Sequence, residues 1–105
     1  MEVKLIVQNG KQAGRVIPVA APRFLIGRSE ECQLRVQSNL ISRQHTLIVV
    51  EADSVTVEDC GSTNHTFVND EMVTERRELH NGDRLRVGLL GFNVELVSPV
   101  VEGKR

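Results

Sequence analysis

The chain has 105 residues, 40% of them apolar and 26% charged, with a formal net charge of −1. That length suits one domain with one modest core, and the near-neutral balance excludes a whole-molecule field drawing it to nucleic acid or an anionic membrane. Only three residues are aromatic, all Phe, too few for the stacking platforms that hold single-stranded nucleic acid.

In chain order, Met1 to Lys4 lacks a basic segment followed by an apolar one, so no secretory leader is expected and the setting reads as cytoplasmic. Val3, Leu5 and Val7 alternate with Lys4, Ile6 and Gln8, and Asn9-Gly10 follows as a turn. Arg15 to Val19 is a second short run. Phe24 to Ile26 is a third, closed by Gly27. Thr46 to Glu51 is apolar on both faces, which suits a strand buried from two sides. Val55 and Val57 alternate with Thr56 and Glu58. Thr66 to Asn69, Leu85 to Val87, and Phe92, Val94 and Leu96 complete the series. Asn69-Asp70-Glu71 and Asn81-Gly82-Asp83 are turn chemistry. Helical periodicity is absent, and every apolar run is far too short to span a membrane. Many short, closely spaced strands predict an all-β sandwich or small barrel, with its specific chemistry on loops at one end.

Three loop segments offer that chemistry. Gly27-Arg28 ends a strand, where glycine would let the chain leave the sheet at an unusual angle. Ser42-Arg43-Gln44-His45 precedes another. Asp59 to Thr66 supplies Ser62, Thr63, Asn64 and His65. The set consists mainly of donors: guanidinium forks, hydroxyls and an amide. A tetrahedral oxyanion such as phosphate offers only acceptors when ionised, so this set suits it. From Arg23 to Arg43 four arginines face only Glu30 and Glu31, whereas Glu51, Asp53, Glu58 and Asp59 make the next segment acidic. Arg35, Arg76, Arg77, Arg84 and Arg86 read as exposed charges, with Arg35 an outer contact for acidic ligands.

GR at 27–28, SRQH at 42–45, DCGSTNHTFVN at 59–69 and NGDRLRVG at 81–88 resemble, in order and spacing, a forkhead-associated (FHA) domain. The resemblance covers nearly the whole chain. It implies an eleven-stranded β-sandwich, a single domain over residues 1–98 with a short tail over 99–105. It also implies a signalling module that reads phosphothreonine proteins or peptides through loops at one end. Carried over, Arg28 would bond the phosphate or the peptide backbone. Ser42, Arg43 and Thr63 would bind phosphate oxygens, and Asn64 would hold the peptide main chain. Gly27 would aim Arg28, His45 would pack beneath the loops and bond to them, and Ser62 and His65 would support them. No threonine precedes Val3, so a ligand is expected to be another molecule or part of a longer parent protein.

His65 departs from the family pattern, which usually has glycine there. Glycine would allow positive φ, and histidine enters that region at a cost. This residue alone favours a second reading, a degenerate scaffold of the same fold that binds partners without phosphate. An enzyme ranks last. Ser42 and His45 have no third orienting carboxylate placed by the sequence and no strand–elbow–helix context. Cys32, Cys60, His45, His65 and His80 lack the paired spacing of metal ligands, and they read as core thiols and surface or packed imidazoles. No cofactor is implied, and the oligomeric state is not legible.

Overall fold

The computed structural model describes residues 1–20 and 22–97. Eleven strands form two sheets: β1 (Glu2–Val7), β2 (Val16–Val19), β3 (Arg23–Gly27), β4 (Leu34–Arg35), β5 (Thr46–Val50), β6 (Val55–Asp59), β7 (Thr66–Val68), β8 (Glu71–Met72), β9 (Arg77–Glu78), β10 (Arg84–Val87) and β11 (Leu90–Val97). One sheet runs β2-β1-β11-β10-β7-β8 and the other β4-β3-β5-β6-β9. All pairings are antiparallel except β3 with β4. The expected tail, 99–105, lies outside the described residues. Among the described residues no helix is long and apolar enough to cross a membrane.

Period-two patterning places the core. Val3, Leu5 and Val7 of β1, Ile17 and Val19 of β2, Leu85 and Val87 of β10, and Phe92 and Val94 of β11 point inward. They meet Phe24, Ile26, Ile48, Val55 and Val57 from the opposite sheet. Each such side chain contributes about 1.5–3 kcal/mol when fully buried. β5 is buried on both faces only at Thr46, Leu47 and Ile48; Val49 and Val50 are half-buried, and Glu51 lies beyond the strand.

Three corrections concern turns and short strands. The two-residue strands β4, β8 and β9 lie in segments where the pattern predicted none. Glu71, expected in a turn, opens β8: the turn is Asn69-Asp70 alone, with φ of 51° and 70°, closing the Val68↔Glu71 pair. Two successive positive φ values are what a twisted two-residue hairpin requires. Asn9-Gly10 does not make such a turn. β1 and β2 are joined by a wider loop, in which Gly14 N donates to Val7 O at 2.7 Å and Val7 N to Arg15 O at 2.9 Å.

Candidate functional site

Topology gathers the three loops. β3 and β6 both pair antiparallel with β5, so β3 and β6 end where β5 begins: Ile26 and Asp59 flank Thr46. Arg28, the Ser42–His45 segment and the Cys60–His65 loop therefore leave the sheet at one edge.

Gly27 and Arg28 lock the loop before β5 to the end of β3. Arg28 N donates to Ser42 O at 3.0 Å, Ser29 N to Arg43 O at 3.1 Å, and Arg28 Nε to Ile41 O at 3.0 Å. Gly27 does not use the left-handed region, so the expected unusual exit angle is corrected. Glycine is needed because a Cβ there would collide with the Arg43 carbonyl and come within 2.9 Å of Cys32 Sγ. Backbone cannot yield as a flexible side chain can. Gly27→Ala is expected to cost about 1–3 kcal/mol by overpacking, read as a lower urea midpoint at an unchanged m-value.

His45 is fully buried beneath the loops. Its Nδ1 accepts from Ser42 N at 3.0 Å, so the ring proton sits on Nε2, which donates to His65 O at 2.8 Å. Both nitrogens engage main chain rather than the Ser42 hydroxyl, an arrangement unlike a nucleophile and its base. The Ser42 Oγ instead accepts from Thr63 N at 3.1 Å, leaving its own proton to donate outward. Asn64 Nδ2 donates to Leu40 O at 2.9 Å. One amide hydrogen is thus committed to the fold, while among the described residues Oδ1 and the second hydrogen have no partner on this exposed side chain.

His65 has φ of 69°, the left-handed conformation its place in the loop demands. Its ring meets Phe67 edge-on, centroids 6.4 Å apart. Arg86, expected to be an exposed charge, is half-buried with its guanidinium 4.0 Å over the same Phe67 ring. His65→Val, adding a β-branch at positive φ, should lose about 1–2 kcal/mol of stability. His65→Gly should stay within about 1 kcal/mol of the parent, because strain relief is offset by a freer unfolded chain. Denaturant titration of both variants checks the pair.

The sequence reading missed the residue that organises the third loop, Asp59. Its Oδ1 accepts from the Ser62 hydroxyl at 2.5 Å and the Thr66 hydroxyl at 2.8 Å; its Oδ2 accepts from Ser62 N at 2.9 Å and Gly61 N at 3.0 Å. Burial alone would raise this carboxyl's pKa, but the four donated bonds outweigh burial and hold it below the usual carboxylate range. Thr66 has given its only proton to Asp59, so Thr46 must donate the 2.7 Å bond between the two buried threonine hydroxyls. Ser62, counted above among the anion donors, is turned inward and buried, and its hydroxyl is committed to Asp59. The Asp-Cys-Gly-Ser spacing, an Asx-turn pattern, was the signal that could have found Asp59.

Beside the loops lies an open polar groove of about 770 Å³, lined by Arg28, Arg35 and Arg43 with Glu30, Glu31 and Ser38 among others. Arg35 is fixed by its Nε, which donates to Arg28 O at 3.0 Å. Glu31 is bonded by the Gln44 amide. Among the described residues none of the three arginines is in an ion pair. Ser42, Thr63 and Asn64 sit on the loop wall and do not line this groove. Cys32 is buried, whereas Cys60 is exposed, against the expectation of two core thiols. Desolvation pushes both thiols' pKa up, keeping them protonated near neutral pH.

The FHA domain family model matches residues 24–88 of this chain. The chain is 31% identical to the human proliferation marker protein Ki-67 over 78% of its own length but only 2% of that protein. It is 32% identical to the glycogen accumulation regulator GarA of Mycolicibacterium smegmatis, over 80% of this chain and 52% of GarA. The chain therefore spans about half of GarA and a small part of Ki-67. A structure solved in an analysis of phosphothreonine-dependent FHA domain interactions superposes with a TM-score of 0.82 at 29% identity, covering 92% of this chain and 98% of that one. The match over 24–88, on a two-sheet fold that gathers Arg28, Ser42 and Thr63 at one end, makes the chain a member of the forkhead-associated domain family.

Proposed function

We propose that the chain is a binding module, not an enzyme, that recognises phosphothreonine in partner proteins or peptides during Ser/Thr kinase signalling. The module spans residues 1–98, and its setting is cytoplasmic, in keeping with the free thiols of Cys32 and Cys60. The observation that carries the reading is the cross-linking of the loops: Thr63 N to Ser42 Oγ, Asn64 Nδ2 to Leu40 O and Arg28 Nε to Ile41 O. These bonds pre-set donors that would otherwise have to be ordered on binding.

A phosphothreonine brings about −1.5 to −2 charges at neutral pH. In this reading Arg28 offers its terminal nitrogens, Arg43 its free guanidinium, and Ser42 and Thr63 their hydroxyl protons. Asn64 presents one acceptor and one donor, the pair an extended peptide main chain needs. Charge-assisted hydrogen bonds contribute roughly 1.5–3 kcal/mol each. Several of these, less desolvation and ordering costs, correspond to micromolar affinity, about 8 kcal/mol.

The scaffold alternative rests on His65. That residue takes the conformation a glycine would take, while Ser42 and Leu40 hold Thr63 and Asn64 on either side of the loop, which favours the reader. Fluorescence-polarisation binding to degenerate phosphothreonine peptides, with phosphoserine and unphosphorylated sets alongside, decides between them. Binding to the phosphothreonine set alone supports the reader. A folded protein that binds none of the sets supports the scaffold.

A further inference from the structure

The sandwich is open where an edge of one sheet faces an edge of the other. A cleft of about 380 Å³ lies between β2 and β4, floored by buried Ile17 and Phe92 and walled by half-buried Leu34 and Val36. Lys11, Arg15 and Arg35 stand at its rim, and among the described residues no carboxylate lines it. Among the described residues none of these three cations is in an ion pair. Two are nonetheless held in place: Arg15 Nη1 donates to Gln12 Oε1 at 2.7 Å, and Arg35 Nε to Arg28 O at 3.0 Å. An apolar cleft rimmed by three cations, two of them held in place, differs from an ordinary surface dent, where charges of both signs are interspersed.

We infer that this cleft is a second docking site, taking an apolar side chain flanked by acidic residues in an extended segment of a partner protein. The apolar floor removes the inserted side chain from water. The rim attracts the acidic neighbours and repels a basic segment, so charge selects the occupant. Arg35 and Gln37 line both the cleft and the arginine groove, so one extended chain can cross from one to the other. Two linked contacts then strengthen each other through effective concentration. The cleft itself needs neither Arg28 nor a phosphate, so the inference stands apart from the phosphothreonine reading.

The test uses short unphosphorylated peptides carrying one apolar residue between acidic ones, and the same frame with lysines in place of the acids. The acidic frame should bind the parent chain and Arg28→Ala equally. Binding should fall about tenfold or more in Lys11→Glu/Arg15→Glu, in line with charge reversal at an interface rim. That double variant alters two exposed side chains. It should keep its fold by circular dichroism and its affinity for short phosphothreonine peptides. Amide signals of Ile17, Leu34 and Val36 should move on titration while those of Thr63 and Asn64 stay still. Equal binding of the two frames, or binding that survives the double reversal, overturns the inference. Loss of binding in Arg28→Ala also overturns it, because the peptide then occupies the arginine groove. So does a dimer that the double reversal abolishes, because a second copy then covers the cleft. Failure of phosphothreonine peptides to bind would count against the other reading only.

Discussion

Arg28→Ala is expected to abolish measurable binding of phosphothreonine peptides. Arg28 does two jobs with one fork. Its Nε holds the Ile41 carbonyl, and its terminal nitrogens remain for the ligand. Losing two charge-assisted bonds at about 1.5–3 kcal/mol each weakens a micromolar complex at least a hundredfold. Lysine is no substitute, since it has a point charge and no Nε to bond Ile41, so Arg28→Lys should also lose most of the affinity. The variant also loses the part-buried bond to Ile41 O, so stability should fall by about 1 kcal/mol, leaving the protein folded. Fluorescence polarisation with one phosphothreonine peptide, beside a urea titration, reads both effects. Parent-like affinity in a folded Arg28→Ala protein would show that the phosphate lies elsewhere.

Asp59 should give the largest stability effect. Asp59→Ala removes the acceptor from two hydroxyls and two main-chain amides at once. Two of these donors belong to Ser62 and one to Thr66, both buried, so water cannot fully replace the carboxylate. A loss of about 3 kcal/mol follows from stranded buried donors. Asp59→Asn should cost less, about 1 kcal/mol. Its carbonyl oxygen can keep the two amides, while the hydroxyls rotate to accept from its NH2. The pH dependence has a definite sign. The folded carboxyl's pKa lies below the unfolded value, so its contribution is fully present above about pH 4 and is lost as pH falls through the folded value. The stability gap between the parent and Asp59→Asn should therefore be constant near neutrality and close in strong acid. A gap that widens in acid would mean that the carboxylate is not stabilised by these donors. The Asp59→Ala loop also loses its hold on Thr63 and Asn64, so phosphopeptide affinity should drop by about tenfold through added ordering cost.

Much of the fold was legible because strand alternation is local. β1, β2 and β10 each bury every second residue, β11 buries Phe92 and Val94 with Leu90 and Leu96 half-buried in the same register, and the sequence displays that period directly. β4, β8 and β9 have two residues apiece, too few to show any period. They exist because neighbours offer paired edges, as when Leu34 comes beside Ile26 and Glu78 beside Thr56. The site divides in the same way. The donor types at Arg28, Ser42, Arg43, Thr63 and Asn64 were readable as residues suited to an anion. That Ser62 faces inward, that Asn64 gives one hydrogen to Leu40, and that Arg86 lies over Phe67 were not.

An all-β chain, its main strands, its turn chemistry and a donor-rich set of loop residues can all be read from residue order alone. Each of these follows from side-chain type and spacing over a few neighbours. Why Gly27 must be glycine, which His45 nitrogen carries the proton, and how Asp59 ties the third loop together emerge from the folded chain. The Gly27 answer depends on Arg43, far away in sequence and brought near by strand pairing, while the His45 proton is placed by the nearby Ser42 N and received by the distant His65 carbonyl. Asp59 meets its partners locally, and its low carboxyl pKa comes from the four bonds they donate, which outweigh the opposing effect of the burial that the packed sheets impose.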